Sequence, residues 1–264
     1  SARSTVLNAH YTNPTVIQAI YQAVEGMNLR PGNILEPSCG IGNFFGLLPE
    51  GMQEAKLYGV ELDSLTGRIA GQLYQKADIT IDGFENTHYP DNFFDLVVGN
   101  VPFGEYQVHD RRYDRQSLLI HDYFITKSLD QVRPGGVVAV ITSKGTMDKQ
   151  NTKARQDFAQ KADLLGAIRL PNNAFKANAG TEVTTDILFF QKRSRAPEKL
   201  PEWVEIGQTE DGVPLNRYFL KHPEMVLGEL TTESTPYGHD LTVAPIEGAV
   251  LADQLAEAVQ HIEG

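Results

Sequence analysis

The chain has 264 residues, with 23 Lys and Arg against 34 Asp and Glu, and a formal net charge of −11. This acidic balance argues against an autonomous nucleic-acid-binding protein, because such proteins present a basic surface to phosphates. The single cysteine excludes a disulfide framework, the seven histidines lack metal-ligand spacing, and neither a membrane-spanning run nor a signal peptide is visible, so we expect no metal, no membrane association and a cytoplasmic location.

Patterns typical of strands and helices alternate along most of the chain. Seven strands are predicted, at 33–37, 56–62, 78–82, 94–99, 136–142, 164–170 and 186–192. Helical segments separate most of them, while the last two strands are joined without a helical pattern. Unbroken apolar strands with intervening helices are typical of a doubly wound parallel sheet, buried on both faces. We therefore predict an α/β, Rossmann-like sheet of seven strands with a closing antiparallel hairpin.

A linker-like segment, RSRAPEKLP at 193–201, separates this sheet from an irregular tail that ends in a helix at roughly 248–262. We predict a main domain at 1–193, whose residues 1–30 precede the sheet, and a C-terminal extension at 194–264. The length leaves room for one large domain plus an appendage. Since the first residue is Ser rather than Met, we expect a piece excised from a longer protein.

The first predicted strand runs into EPSCGIGNFF, a glycine-rich turn that opens a helix. Gly40 and Gly42 let the backbone turn sharply and approach a ligand, although ordinary tight turns use the same pattern. Glu36 beside the turn repels pyrophosphate and suits a cationic or hydroxyl-bearing ligand. Phe45 also takes the place of the third glycine of a dinucleotide fingerprint, so NAD is not the expected ligand.

Glu61 ends the second predicted strand, about twenty residues beyond the glycine-rich turn, where an acid can accept hydrogen bonds from both ribose hydroxyls of an adenosine. A solvated acid at a strand end is the alternative. The two motifs together favour adenosine, and an adenosine cofactor without pyrophosphate indicates S-adenosylmethionine.

The fourth predicted strand ends in GNVPFG, which places Asn100 at the same edge of the sheet. An exocyclic amine on a planar ring is a poor nucleophile, because its lone pair is delocalised. The Asn100 side-chain oxygen and the Val101 carbonyl can accept from such an amine and stabilise the positive charge that develops during methyl transfer. Pro102 fixes the backbone, and Phe103 offers a ring for stacking. An incidental strand-ending turn is the alternative.

The segment that follows, EYQVHDRRYDRQ, contains three arginines and two tyrosines. Arg111 and Arg112 could contact phosphates near the pocket. A solvated loop is an equally good interpretation of the same pattern.

In this order and spacing, EPSCGIGNF, GVELD and NVPFG resemble the cofactor and catalytic motifs of the amino-methylating DNA methyltransferases that modify adenine N6. AHYTNP at 9–14 resembles the segment that precedes the glycine-rich turn in the gamma arrangement of that family, which implies that the N-terminal segment 1–30 closes over the cofactor through Tyr11 and Thr12. IRLPNNAF and TDILFFQK resemble its final strands. HPEMVLG and the surrounding tail resemble the methylase part of large helicase–methylase fusions of phages and mobile elements.

The resemblance implies direct transfer of a methyl group from S-adenosylmethionine to adenine N6 in DNA, on a flipped or single-stranded base. It implies Asn100, Val101, Pro102 and Phe103 as the catalytic motif. Implied cofactor-binding residues are Tyr11, Thr12, Glu36, Pro37, Ser38, Gly40, Gly42, Asn43, Phe44, Glu61, Leu62, Phe84 and Glu85. Phe103, Phe175, Arg111 and Arg112 are the expected substrate contacts, and a missing helicase or target-recognition domain is the expected partner besides DNA.

The sequence departs from the family pattern at Val101, where a first proline is usual. We expect the chemistry to survive with some loss of rigidity, since the carbonyl is present whatever the side chain. The residue that contacts the adenine of the cofactor is also ambiguous, because either Phe84 by stacking or Glu85 by hydrogen bonding could serve. Two other functions stay open: methylation of another planar amine, in RNA guanine or protein glutamine, and a cofactor-binding module with reduced catalysis.

Overall fold

The computed structural model describes residues 12–175, 183–236 and 238–262. Its centre is a sheet of seven strands, β1 (Asn33–Glu36), β2 (Lys56–Glu61), β3 (Asp78–Ile81), β4 (Phe94–Asn100), β5 (Val132–Ser143), β6 (Ala162–Arg169) and β7 (Thr185–Lys192). The strands lie in the order β3-β2-β1-β4-β5-β7-β6, and β7 alone of the seven runs opposite to the other six. The predicted doubly wound sheet with a closing antiparallel hairpin is therefore confirmed.

Helices connect the parallel strands and cover the sheet. They are α1 (Pro14–Gly26), α2 (Asn43–Gly46), α3 (Ser64–Leu73), α4 (Ile120–Gln131), α5 (Gly145–Asp148) and α6 (Lys153–Lys161). The central strands carry near-continuous apolar runs because both of their faces are covered, and Val97, Val98 and Val138 have no solvent exposure. Across the described ranges, no helix combines the length and apolar character needed to cross a membrane.

Helix α3 leaves its apolar stripe in solvent. Leu65, Ile69 and Leu73 have the helical spacing of a core face, yet they are 63, 41 and 59% exposed. The helix instead packs through its small residues, because Gly67 lies so close to the edge strand that an added Cβ would be 2.8 Å from the Ile81 side chain. The spacing correctly predicts the helix, but it indicates the wrong face for the core.

The C-terminal extension contributes β8 (Ile206–Gln208), β9 (Pro214–Asn216), α7 (Arg217–Lys221), β10 (Glu229–Thr235), β11 (Gly238–Ala244) and α8 (Leu251–Val259). Helix α8 packs on α1. The extension is also hydrogen-bonded to the sheet domain: Asn216 Nδ2 donates to the Met147 carbonyl, and the buried Arg155 donates to the Val204 carbonyl. Because buried polar groups are costly to leave unpaired, these bonds fix the extension on the sheet.

Candidate active site

Three polar side chains lie at the carboxyl edge of the sheet. Glu36, Glu61 and Asn100 are the last residues of β1, β2 and β4, and β1 pairs in parallel with both of the other strands. Parallel strands end at the same edge, so the topology brings together residues that are up to 64 positions apart in the sequence. This is the edge at which doubly wound sheets bind ligands.

The glycine-rich turn between β1 and α2 is held by two backbone hydrogen bonds, Cys39 N–H to the Val60 carbonyl and Gly42 N–H to the Cys39 carbonyl, both 2.9 Å. Gly42 has a φ of 92° and a Cβ at this position would be 2.5 Å from the Tyr74 ring. Both the backbone conformation and the close approach require glycine. The turn continues into α2, where Phe44 is buried.

Glu61, the last residue of β2, is hydrogen-bonded to this turn. Its Oε1 accepts from Gly40 N–H at 3.0 Å and its Oε2 accepts from Asp63 N–H at 2.8 Å. Burial raises the pKa of the Glu61 carboxyl, and the amide hydrogen bonds from Asp63 and Gly40 partly oppose that shift. Each carboxylate oxygen keeps a second lone pair, so Glu61 can still accept from hydroxyl groups while it orients the turn.

Glu36 is the more deeply buried of the two carboxyl groups of the site. It is 2% exposed, and its Oε2 has no hydrogen-bond partner among the described residues. Burial raises the pKa of Glu36 well above the ordinary range, and the nearby charge of Glu61 raises it further. A buried carboxylate without a partner suits a cation that supplies the missing donor. An ammonium or sulfonium group therefore fits this position.

Asn100 presents its side-chain amide at the end of β4, beside Ile141 of β5. Its Nδ2 donates to Thr12 Oγ1 over a long distance of 3.4 Å, and Thr12 is itself buried. Its Oδ1 is buried and has no donor among the described residues. The amide oxygen is thus an acceptor held ready for a ligand N–H.

Val101 and Pro102 are buried, and Phe103 is half-buried. The Val101 N–H donates to the Ile141 carbonyl at 3.0 Å, a hydrogen bond that proline could not make. This bond supplies part of the restraint that a proline at this position would give.

Val101→Pro, which creates the pattern usual in the family, is expected to destabilise the fold. It leaves the buried Ile141 carbonyl without its donor, which lowers the free energy of unfolding by about 1–3 kcal/mol. Urea denaturation measures the change, and Val101→Ala, which keeps the N–H, separates the lost hydrogen bond from the lost side-chain volume. A proline variant as stable as the wild type would contradict this role of the Val101 amide.

The turn at Phe84–Asn86 follows β3. Phe84 is 1% exposed, and its ring lies 4.9 Å from the ring of Phe124 and 6.1 Å from that of Tyr123. Stacking on a cofactor would need a free ring face, so the structure argues against Phe84 in that role. Glu85 is half-buried and is the better candidate of the two.

Sequence reasoning missed Lys127, which joins this turn to the loop that follows Phe103. Its Nζ donates to the carbonyls of Phe84 and Thr87, at 2.8 and 2.9 Å, and to Asp110 Oδ2 at 3.0 Å. The side chain is 5% exposed, and burial lowers the pKa of Lys127. A lysine within the apolar surroundings of α4 is the only sequence signal of this role.

Lys127→Met is expected to weaken cofactor binding by loosening the Phe84–Asn86 turn, with a rise in KM for the cofactor of about tenfold. Removing one partner of a buried ion pair also lowers the free energy of unfolding by about 3 kcal/mol. Cofactor titration and urea denaturation measure the two effects. Lys76→Met, at an exposed lysine, is the matched control, and a Lys127→Met protein with wild-type values in both assays would refute the role.

The other residues predicted to contact the substrate or the cofactor differ in their exposure and in their contacts. Arg112 forms a bidentate ion pair with Asp91, at 2.8 and 2.9 Å, so a DNA phosphate would compete with that carboxylate. Arg111 is exposed, and Phe175 is half-buried. Pro37 is buried, Ser38 and Asn43 are half-buried, and Leu62 is 48% exposed. Tyr11 lies outside the described residues.

A search of the described ranges finds no group of three or more His, Cys, Asp or Glu side chains placed to hold a metal ion. The polar groups of the site are instead acceptors: two carboxylates and one amide oxygen. This set suits an organic ligand that carries a cation, hydroxyl groups and an N–H.

Comparisons with known proteins agree with this arrangement. A family model described as N-6 DNA Methylase matches residues 8–208. The defense against restriction protein B of Escherichia phage P1 is 32% identical over 202 residues, which are 74% of this chain and 9% of that protein. The modification methylase CviBIII of Paramecium bursaria Chlorella virus NC1A is 27% identical over 136 residues, 50% of this chain and 36% of that protein. The chain therefore spans less than half the length of these curated relatives.

Among solved structures, the M protein of the type I restriction enzyme EcoKI superposes with a TM-score of 0.55 and 15% identity, covering 96% of this chain and 71% of that one. A Listeria monocytogenes protein assigned to the class I S-adenosylmethionine-dependent methyltransferases gives a TM-score of 0.59 and 19% identity, over 73% of this chain and 65% of that one. At these identities the superpositions establish a shared fold.

Proposed function

Since the chain belongs to the N-6 DNA methylase family, whose cofactor is S-adenosylmethionine, we propose that it transfers a methyl group to the exocyclic N6 of adenine in DNA. The buried Asn100 Oδ1 carries this proposal, because it is an acceptor with no donor of its own among the described residues. An exocyclic amine would supply that donor.

Asn100 Oδ1 and the Val101 carbonyl accept from the two N–H bonds of the amine and draw its nitrogen toward tetrahedral geometry. This localises the lone pair and stabilises the positive charge that the nitrogen gains as the new N–C bond forms. Phe103 stacks on the base, and Phe175 lies on its other side. The excess proton leaves the nitrogen after transfer, so the reaction needs no general base with a shifted pKa.

S-adenosylmethionine supplies an electrophilic methyl group on a sulfonium, and the residues at the carboxyl edge fit such a ligand. Glu36 faces its cationic part, because the Glu36 carboxylate has an unpartnered buried oxygen. Glu61 accepts from the ribose hydroxyls through its remaining lone pairs. Glu85 contacts the adenine ring, and Gly40 and Gly42 allow the backbone to approach.

A target base inside a duplex cannot reach this edge, so the substrate base is flipped out or single-stranded. The net charge of −11 provides little general attraction for DNA. Because the curated relatives are more than twice as long as the matched part, we also propose that a helicase or target-recognition domain outside these residues supplies DNA affinity and sequence choice.

Two features of the sequence favour a cofactor-binding module with reduced catalysis: Val101 in place of a proline, and the acidic balance. The Val101 N–H to Ile141 carbonyl bond weakens the first argument, since the catalytic loop is restrained without the proline. We therefore favour the enzyme over the cofactor-binding module.

The test is transfer of a labelled methyl group from S-adenosylmethionine to unmethylated duplex and single-stranded DNA, with Asn100→Ala as the blank. Label recovered as N6-methyladenine, and lost in the variant, is the expected result. Label in RNA or in protein instead would favour another planar amine. A protein that binds the cofactor but labels no DNA, even when joined to the rest of a longer parent chain, would favour the binding module.

A further inference from the structure

The hairpin of β10 and β11 is anchored at the catalytic edge of the sheet. Along β11 the exposure changes sharply: His239 and Asp240 are exposed, whereas Leu241, Thr242 and Val243 are 6, 7 and 0% exposed. The outer half of the hairpin thus stands in solvent while its base packs on the main domain.

The Thr242 hydroxyl bonds to both ends of the connection between β6 and β7. Asn172 Nδ2 donates to Thr242 Oγ1 at 3.1 Å, and the Thr184 hydroxyl lies 3.0 Å from the same oxygen. The Asn172 N–H also donates to the Val243 carbonyl at 2.8 Å. The buried Thr242 side chain therefore contacts this connection both after it leaves β6 and before it enters β7, and the Asn172 backbone bond adds a second contact at the first of these ends.

Phe175 lies in the turn that Thr242 holds. The turn starts with a hydrogen bond from Ala174 N–H to the Pro171 carbonyl at 3.0 Å, and Phe175 follows, half-buried against the core. The Asn172 contacts with the hairpin lie within this turn. A shift of Thr242 would therefore move the turn and the Phe175 ring with it.

The hairpin also contacts the end of β5, the strand that lies beside β4 and Asn100. Lys144 follows directly after β5, and its Nζ pairs with Asp240 Oδ1 at 2.6 Å. The Lys144 N–H donates to the Thr184 carbonyl at 3.2 Å. Ile141, three residues before Lys144, is the register partner of Asn100. The hairpin, the Phe175 turn and the end of β5 thus form one hydrogen-bonded unit next to the catalytic amide.

We propose that Thr242 is a positioning residue for the DNA substrate, through which the C-terminal hairpin holds the Phe175 turn against the target base. The proposal rests on the proposed function for its ligand. It gives the C-terminal extension a direct part in substrate binding, while cofactor binding, which involves β1, β2 and the turn after β3, stays independent of it.

Thr242→Val removes the hydroxyl and keeps the shape of the side chain. We expect the KM for DNA to rise about tenfold, because the Phe175 ring loses its fixed position and stacking is sensitive to that position. The dissociation constant for S-adenosylmethionine stays unchanged, and Thr242→Ser, which keeps the hydroxyl, restores the KM. Thr231→Val is the matched control, since Thr231 is an exposed hydroxyl directly across the hairpin from Thr242.

Phe175→Ala tests whether Thr242 affects DNA binding through the Phe175 ring. If Thr242 acts through this ring, the double variant Thr242→Val/Phe175→Ala binds DNA no more weakly than Phe175→Ala alone. Additive losses, an unchanged KM for DNA in Thr242→Val, or an equal weakening of cofactor binding would each overturn the proposal.

Affinity for a single-stranded adenine-containing oligonucleotide, measured by fluorescence anisotropy, separates this proposal from the proposed function. A wild-type protein that transfers no methyl group, even when joined to the rest of a longer parent chain, refutes the function. The positioning role is then decided by the oligonucleotide, which Thr242→Val must bind about tenfold more weakly than both the wild type and Thr231→Val. Equal affinities would reject the role.

Discussion

Asn100→Ala is expected to lower kcat for methyl transfer by about 100- to 1000-fold, the loss usual when one preorganised polar group is removed from the position where charge develops. Asn100 Oδ1 is buried and has no donor among the described residues, so we expect its contribution to be made with the substrate amine in place. The affinity for S-adenosylmethionine should change little, because Glu36 and Glu61 belong to other strands. Single-turnover transfer of a labelled methyl group measures the rate of transfer, and calorimetry measures the affinity for S-adenosylmethionine.

Asn100→Asp is the matched comparison, because it keeps an acceptor oxygen at the same position. We expect it to retain a larger fraction of the activity than Asn100→Ala. An alanine variant with wild-type kcat would exclude Asn100 from the chemistry. An alanine variant that loses cofactor binding in parallel would instead make Asn100 a structural part of the cofactor site.

The positions of the three polar groups at the sheet edge could be predicted from the sequence, because each follows directly on an apolar strand. Glu36, Glu61 and Asn100 are local features of strand ends, and the geometry of parallel sheets then places them at one edge. No long-range contact has to be known for this inference. The same holds for the closing hairpin of the sheet, whose two strands are neighbours in sequence.

Contacts between distant segments could not be predicted in this way. The Phe84 ring is covered by Phe124, 40 residues away, and Arg112 is paired with Asp91 across two loops. Both residues have the right type and approximate position for a ligand contact. Only the tertiary structure shows that the Phe84 ring and the Arg112 guanidinium are already in contact with other side chains.

The C-terminal hairpin was missed for a different reason. Its strands, ELTTEST and GHDLTVA, are mostly polar and lack the alternation of apolar residues that indicates a half-buried strand. Of the described residues of β11, only Leu241, Thr242 and Val243 are buried, and Thr242 is hydrogen-bonded to Asn172 of the main domain. Helix α1, which packs against α8 from the other end of the chain, lies in the N-terminal segment for which the sequence predicts a role in closing over the cofactor but no helix.

Glu36→Gln is expected to weaken S-adenosylmethionine binding about 10- to 100-fold, since a hydrogen bond to a charged group contributes about 1.5–3 kcal/mol. The pH dependence gives the sharper test. Burial and the charge of Glu61 raise the pKa of Glu36 well above the ordinary range, so protonation of this carboxyl competes with a bound cation at a higher pH than it would at an exposed glutamate. Affinity therefore falls as pH falls through this raised pKa, at a higher pH than for an exposed glutamate, and Glu36→Gln removes that dependence.

Glu36→Gln should weaken cofactor binding but raise the stability of the ligand-free protein. A carboxyl whose folded-state pKa is raised destabilises the fold once pH exceeds its unfolded-state pKa of about 4.3, and the destabilisation is complete above the folded-state value. Glu36→Gln removes this penalty, so the ligand-free variant should have a higher Tm than the wild type at neutral pH while it binds the cofactor more weakly. Glu50→Gln, at an exposed carboxylate, controls for the loss of one charge. Weaker binding together with a lower Tm would attribute the effect to damaged folding. Unchanged binding and an unchanged pH profile would remove Glu36 from the cofactor site, because a cation in contact with a buried carboxylate lowers the pKa of that carboxyl.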